Sequence, residues 1–269
     1  MIGGSALAGA GPVRLSALEF DVLAEHLGLD TLPLVLRVPS PGRTWSERAE
    51  LADSAWRSMG AKQLGDRRRL DPALDRMLRL LAHPESEVDG RTWFDRSVRV
   101  LAASGVPDGS GADAVLVVKN EDALTLRPVS ATGLVREATS VLPALGAGPG
   151  RSVTVRSADL DEAASATAGN AEALEGELVR RGVRGDDAEM LTSMVREAGA
   201  RGQFGAAARD RLGRRVRAPR VVGFFDTPHG RYAQLRRDSP SGDSWSTVAP
   251  ADGRRLIAHV DELLTELAR

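Results

Sequence analysis

His229 follows Asp226 by three residues and precedes Arg231 by two. An imidazole, a carboxylate and a guanidinium in one turn are the side chains that general acid–base chemistry uses. An aspartate beside a turn histidine more often hydrogen-bonds the turn backbone than orients a base. An enzyme reading therefore requires His229, Asp226 and Arg231 to converge in a deep polar pocket with perturbed ionisation. The remaining histidines are His26 on an amphipathic helix, His83 before a proline and His259 near the C-terminus, and no metal-ligand spacing links them. The chain has no cysteine, which excludes disulfides, thiolate metal sites and cysteine nucleophiles. Gly146-Ala-Gly-Pro-Gly150 has the composition of a phosphate loop. A strand pattern rather than a helix follows it, however, and Pro149 lacks an N–H, so it reads as a linker. With no Walker sequence and no Gly-x-Ser-x-Gly elbow either, the expectation is a protein with no catalytic residue, no cofactor and no metal.

Charge gives a second class of chemistry. Arg209, Arg211, Arg214, Arg215, Arg217 and Arg220 form a basic stretch, and only Lys62 and Lys119 are lysines among 36 basic residues. A nucleic-acid binder needs a basic surface, usually with aromatic platforms or a reading helix. Here the net charge is −1, the aromatic content is 4% and no helix-turn-helix or zinc finger is evident. The stretch reads first as a solvated hairpin or a docking arm, since arginine suits protein contacts. A nucleic-acid-associated regulator using residues 209–220 is the alternative, and it predicts salt-sensitive binding.

The elements that must position these groups follow from periodicity and caps. Ser16-Ala-Leu-Glu19 and Thr44-Trp-Ser-Glu47 are capping boxes, Leu15 and Phe20 have the spacing of a hydrophobic staple, and Asp71-Pro72 caps a third helix. Pro33–Val38 reads as a short strand between the first two helices. Strands are predicted over 86–94, 97–103, 112–119 and 124–128, with a turn at Asp108-Gly109 and a helix over 132–142. Beyond the glycine stretch the pattern gives a strand over 151–156, helices over 159–168, 171–181 and 186–198, and four more strands between Gly202 and Ala249. Asp252 caps a terminal helix with Leu256, Val260, Leu263, Leu264 and Leu267 on one stripe.

Both halves show one strand, two or three helices, four meandering strands and one helix. That order predicts an α+β fold: a central, mainly antiparallel sheet flanked by helical bundles, with two pseudo-twofold-related halves. The expected divisions are a flexible tail over 1–13, an N-terminal half over 14–148 and a C-terminal half over 149–269, the halves fused into one domain. The N-terminus lacks a basic region followed by a continuous apolar run, and no stretch reaches the ~20 apolar residues of a membrane span. A cytoplasmic protein with no membrane insertion is expected.

The hairpin around the Asp226–Arg231 turn carries the candidate site. If Asp226 faces Arg231, then Phe224 faces Ala233, Val222 faces Leu235 and Phe225 faces Tyr232, and a period of two sorts the side chains. Val222, Phe224, Ala233 and Leu235 form an apolar face assigned to the core. Val221, Phe225, Tyr232, Gln234 and Arg236 form a mixed face, with a gap at Gly223, assigned to partner binding.

Several residue runs also resemble the EspG family, the ESX (type VII) secretion-associated proteins of actinobacteria. They are Leu15-Ser-Ala-Leu-Glu-Phe-Asp with Leu32-Pro-Leu-Val-Leu36, Leu70-Asp-Pro-Ala-Leu74 with Glu87-Val-Asp89, and Arg201-Gly-Gln-Phe-Gly205 with Phe225-Asp-Thr-Pro-His-Gly-Arg-Tyr232. The resemblance covers nearly the whole chain after residue 14. It implies a cytoplasmic chaperone that binds the apolar tip of a PE–PPE heterodimer, keeps it soluble and releases it at the secretion machinery. It supplies no catalytic motif, and a homodimer of the free chain is a further expectation.

Overall fold

The structure, a computed structural model, describes residues 11–106 and 114–268. The chain divides into two compact units. The first runs to Arg91 and adds Arg96–Val141 and Ala207–Val216, and the second holds Thr92–Asp95, Leu142–Ala206 and Arg217 to the C-terminus.

In the first unit, β1 (Val13–Ser16) passes directly into α1 (Ala17–His26). The capping box is complete: the Ser16 hydroxyl accepts from the Glu19 amide at 3.1 Å, and Glu19 accepts from the Ser16 amide at 2.7 Å. Thr44 and Glu47 repeat the device ahead of α2 (Trp45–Ala61). The Asp71 carboxylate takes the Ala73 and Leu74 amides at the head of α3 (Pro72–Ala82). A meander follows through β2 (Ser86–Phe94), β3 (Arg96–Ser104), β4 (Ala114–Asn120) and β5 (Ala123–Val129), and α4 (Leu134–Thr139) closes the run. The strand order is β1-β5-β4-β3-β2, with β1 antiparallel to β5 from Val13↔Leu126 to Ser16↔Ala123. Leu74, Met77, Leu78 and Leu81 of α3 are fully buried against Leu101, Val115, Val117, Leu124 and Leu126 of the sheet. Each such side chain stabilises the fold by roughly 1.5–3 kcal/mol.

The second unit, too, opens on a strand. β6 (Val153–Arg156) leads into α5 (Ser157–Ala166), α6 (Ala171–Arg180) and α7 (Gly185–Val195). Then come β7 (Arg201–Arg209), the short β8 (Arg215–Arg217), β9 (Val222–Thr227), β10 (Gly230–Asp238), β11 (Ser244–Pro250) and α8 (Gly253–Leu267). The strand order is β7-β9-β10-β11-β6, with β6 antiparallel to β11. As in the first unit, the strand that precedes the helices pairs with the last strand of the meander. The fold class is α+β, with a large antiparallel sheet and eight α-helices among the described residues.

Four expectations need correction. Pro33–Val38 is not a strand: Leu34–Leu36 form one 3-10 turn, with the Leu36 amide donating to the Pro33 carbonyl at 2.9 Å. Prolines on both sides deny the segment ladder partners, and Val35 and Leu36 are buried consecutively rather than alternately. The helix expected over 132–142 shrinks to Leu134–Thr139 after a 3-10 turn at Ala131–Gly133. Val13 belongs to β1, so a tail over 1–13 is too long. Residues 1–10 and the Asp108-Gly109 turn lie outside the described residues. β8 is absent from the expected strands, since its three residues are all exposed and show no alternation of burial.

Glu19 makes the first unit sensitive to acid. Burial alone would raise its pKa. The Lys62 ammonium at 2.6 Å, the Ser16 amide and the Ser58 side chain outweigh that, and the net position is below the ordinary 4.5. A depressed folded-state pKa stabilises the fold above the unfolded value, and that stability is lost as pH falls through the folded value. Glu19→Gln is therefore expected to flatten the acid limb of a stability–pH curve between about pH 5 and pH 3. Urea midpoints across that range measure it, and an unchanged limb would refute the assignment.

Candidate functional site

The β9–β10 hairpin has the register that alternation predicts. Asp226 pairs with Arg231, Phe225 with Tyr232, Phe224 with Ala233 and Val222 with Leu235. The apolar face is core: Val222, Phe224, Ala233 and Leu235 are buried, and Phe224 stacks on Phe204 of β7 at 5.9 Å. Helix α8 packs on β9, and Glu262 holds Arg237 of the same face at 2.8 Å.

The mixed face is covered as well. Phe225 and Tyr232 stack at 5.1 Å with their planes 19° apart. They share a core with Val153, Val155, Leu178, Leu191, Met194 and Val248, beneath helices α5, α6 and α7. The two aromatic side chains therefore support this face from inside and do not project from it. Its reachable positions are Arg236, which is exposed, and Gln234 and Val221, which are half-buried. Arg236 donates to both Asp161 oxygens on α5, at 2.6 and 2.9 Å. The Gly223 gap is filled from across the pair, since a Cβ there would meet the Gln234 carbonyl at 3.3 Å.

The glycine stretch is not a linker. Arg231 donates its amide to the Gly146 carbonyl at 2.9 Å, and its own carbonyl accepts the Gly148 amide at 3.0 Å. Residues 146–150 thus form a strap lying parallel to the head of β10, bridged at Ala147↔Arg231. Side chains fasten the same strap. The Arg231 guanidinium, 2% exposed, meets both Asp226 oxygens at 2.7 and 2.8 Å and donates to the Pro143 carbonyl at 3.1 Å. The Tyr232 hydroxyl donates to the Pro149 carbonyl at 3.0 Å, and burial pushes its pKa up, which favours the neutral donor. Gly230 needs to be glycine, because its φ is +141° and a Cβ would meet the Gly148 nitrogen at 2.5 Å.

The trio that suggested acid–base work does not converge. Asp226 is held by Arg231, whereas His229 is exposed and its Nε2 faces Glu197 at 3.6 Å. Thr227, not Asp226, organises the turn: its hydroxyl accepts from the His229 amide at 3.1 Å and donates to the Gly230 carbonyl at 3.0 Å. Beside the turn lies a cavity of about 380 Å³. The strap supplies Pro149 and Gly150, helix α7 and the residues just after it supply Met190, Ser193, Arg196 and Glu197, and the hairpin supplies Thr227, His229 and Tyr232. No group of three or more His, Asp or Glu side chains is placed to hold a metal ion among the described residues. None of their helices is long and apolar enough to cross a membrane.

Much of the arginine stretch is neutralised at close range. Arg214 pairs with Asp210 at 2.8 Å, Arg215 with Glu87 and Arg220 with Glu266. Arg209 donates to the Pro84 carbonyl at 3.1 Å. These contacts fasten a hairpin and the entry to β9, and they pair Arg214, Arg215 and Arg220 with carboxylates.

The sequence model of the EspG family matches residues 16–262. A solved structure of the type VII secretion system chaperone EspG5 of Mycobacterium tuberculosis, in complex with a PE25–PPE41 dimer, is similar in fold. It has a TM-score of 0.71 and 16% identity, over 94% of this chain and 96% of that one. At that identity the likeness concerns the fold. No curated protein matches the chain.

Proposed function

The chain belongs to the EspG family, and from that membership we propose that it is a cytoplasmic type VII secretion chaperone that binds a PE–PPE heterodimer and delivers it for export. The observation that carries the proposal is the extent of the family match, from the N-cap of α1 well into α8. EspG5, with the same fold, was solved with a PE25–PPE41 dimer bound. A helical pair with an unpaired apolar end is prone to aggregate, and a preformed surface that covers this end removes the liability. Binding alone does this work, with no catalysis, nucleotide or metal. The function requires release, so a contact with polar and arginine-bearing edges suits it better than a wholly apolar one.

Arg236, Gln234 and Val221 form the accessible part of the proposed contact, with Phe225 and Tyr232 holding the strands beneath. Co-expression with the PE–PPE pair encoded nearest to its gene, followed by affinity capture and mass determination in solution, tests the function. A 1:1:1 complex is expected, and the same measurement on the free chain reads its oligomeric state. Arg236→Glu is expected to weaken capture by about 5–10-fold, with a smaller loss at high salt. Failure to capture any neighbouring pair, while those pairs stay soluble alone, would overturn the reading.

A further inference from the structure

The cavity beside the β9–β10 turn has the build of a side-chain receptor. Its floor is apolar and adaptable: the Met190 thioether, the Tyr232 ring and Pro149. Tyr232 is fixed from both sides, by its stack on Phe225 and its bond to Pro149, so the floor exists before any ligand arrives. Gly150 keeps the cavity open. Its φ is +109°, and a Cβ at that position would sit 2.9 Å from the Met190 sulfur. At about 380 Å³ the space falls within the size range of small-ligand pockets, larger than one phenylalanine side chain.

The rim decides what sits beside that side chain. Glu197 lies at the rim with its carboxylate 3.6 Å from the His229 Nε2, whereas Arg196 is exposed and has no carboxylate partner among the described residues. An apolar slot with one uncommitted guanidinium at its mouth complements an apolar side chain that lies next to a carboxylate. Trp245, an exposed aromatic of the same unit, is instead met by the Arg156 guanidinium, 6.0 Å from its ring centre.

We infer that this cavity is the seat of one apolar side chain of the client, and that Arg196 reads an adjacent acidic residue; the identity of that occupant rests on the chaperone reading above. Tyr232 then contributes to binding through the cavity it floors, although its ring is buried from the general surface.

Two measurements on the full chain test the inference. N-acetylphenylalanine supplies the ring and the carboxylate without any client, and N-acetylphenylalaninamide supplies the ring alone. Amide shift changes at Gly150 and Ser193 are expected with the acid at millimolar concentration, several-fold weaker with the amide, and absent in Ser193→Trp. Ser193 is exposed on α7, so the tryptophan plugs the mouth without entering the core. In capture of a PE–PPE pair, Ser193→Trp is expected to cost about 100-fold and Arg196→Glu about 5–10-fold, whereas Arg254→Glu on α8 leaves capture unchanged. Absence of acid binding, or full capture by Ser193→Trp with a native melting curve, overturns the slot while leaving the chaperone function intact. Acid binding by a chain that captures no PE–PPE pair instead overturns the function and, with it, the occupant.

Discussion

Arg231→Met is expected to destabilise the second unit by about 3–5 kcal/mol, because it strands the buried Asp226 carboxylate without its counter-charge. The two side chains are 2% and 9% exposed, and Arg231 is the largest of the fully buried side chains. Methionine fills much of the same volume, so the loss reads the charge rather than a cavity. The double variant Arg231→Met, Asp226→Leu should recover most of the stability, since replacing a whole buried pair with apolar groups is often close to neutral. Recovery should not extend to the strap. The Arg231 main chain still holds Gly146 and Gly148, but the bond from its side chain to the Pro143 carbonyl is lost in both variants. Urea unfolding measures the first effect, and hydrogen exchange at the Gly148 amide measures the second. Equal stability of Arg231→Met and the wild type would mean that Asp226 finds another partner or water.

Much of the fold was legible because local chemistry and global packing agree in this chain. Ser16, Thr44, Asp71 and Asp252 all cap the helices that their spacing announces. The Asp226↔Arg231 register follows from apolar alternation together with the turn. The candidate site was less legible, for a physical reason. Alternation reports which side chains share a face, but not how many layers cover it. Phe225 and Tyr232 lie on a face that also carries Gln234 and Arg236, and this mixed composition suggested a surface. The polar members, however, sit toward the open end of β10, while the aromatic pair lies under α7. The glycine stretch misled for the complementary reason. Glycine marks a flexible linker and a close backbone approach with the same letter, and only the partner, here Tyr232 and Gly230, tells them apart.

That ambiguity makes Gly148 the second position at which a large effect is expected. A Cβ on Gly148 would overlap the Tyr232 ring itself, at the ring carbon that bears the hydroxyl. The ring is held in two ways, by Phe225 stacked on one face and by the bond from its hydroxyl to Pro149 of the same strap, so a shift into the cavity beside it breaks both contacts. Gly148→Ala must therefore displace either the strap or the stack. Overpacking of this kind costs about 1–3 kcal/mol and occasionally more, and the upper end applies where neither neighbour can yield. In a flexible linker the same substitution would be neutral or slightly stabilising, through the lower entropy of the unfolded chain. The sign of the change thus separates the two readings of the glycines. Removing the obstacle provides the second test. In a Tyr232→Leu background the alanine has room, so Gly148→Ala should cost less there by about 0.5–3 kcal/mol, the coupling expected of residues in contact. Additive losses would instead place the strap away from the ring. They would also remove the reason for Tyr232 to floor a preformed cavity, because a ring free to yield to a methyl group is equally free to close the space beside it.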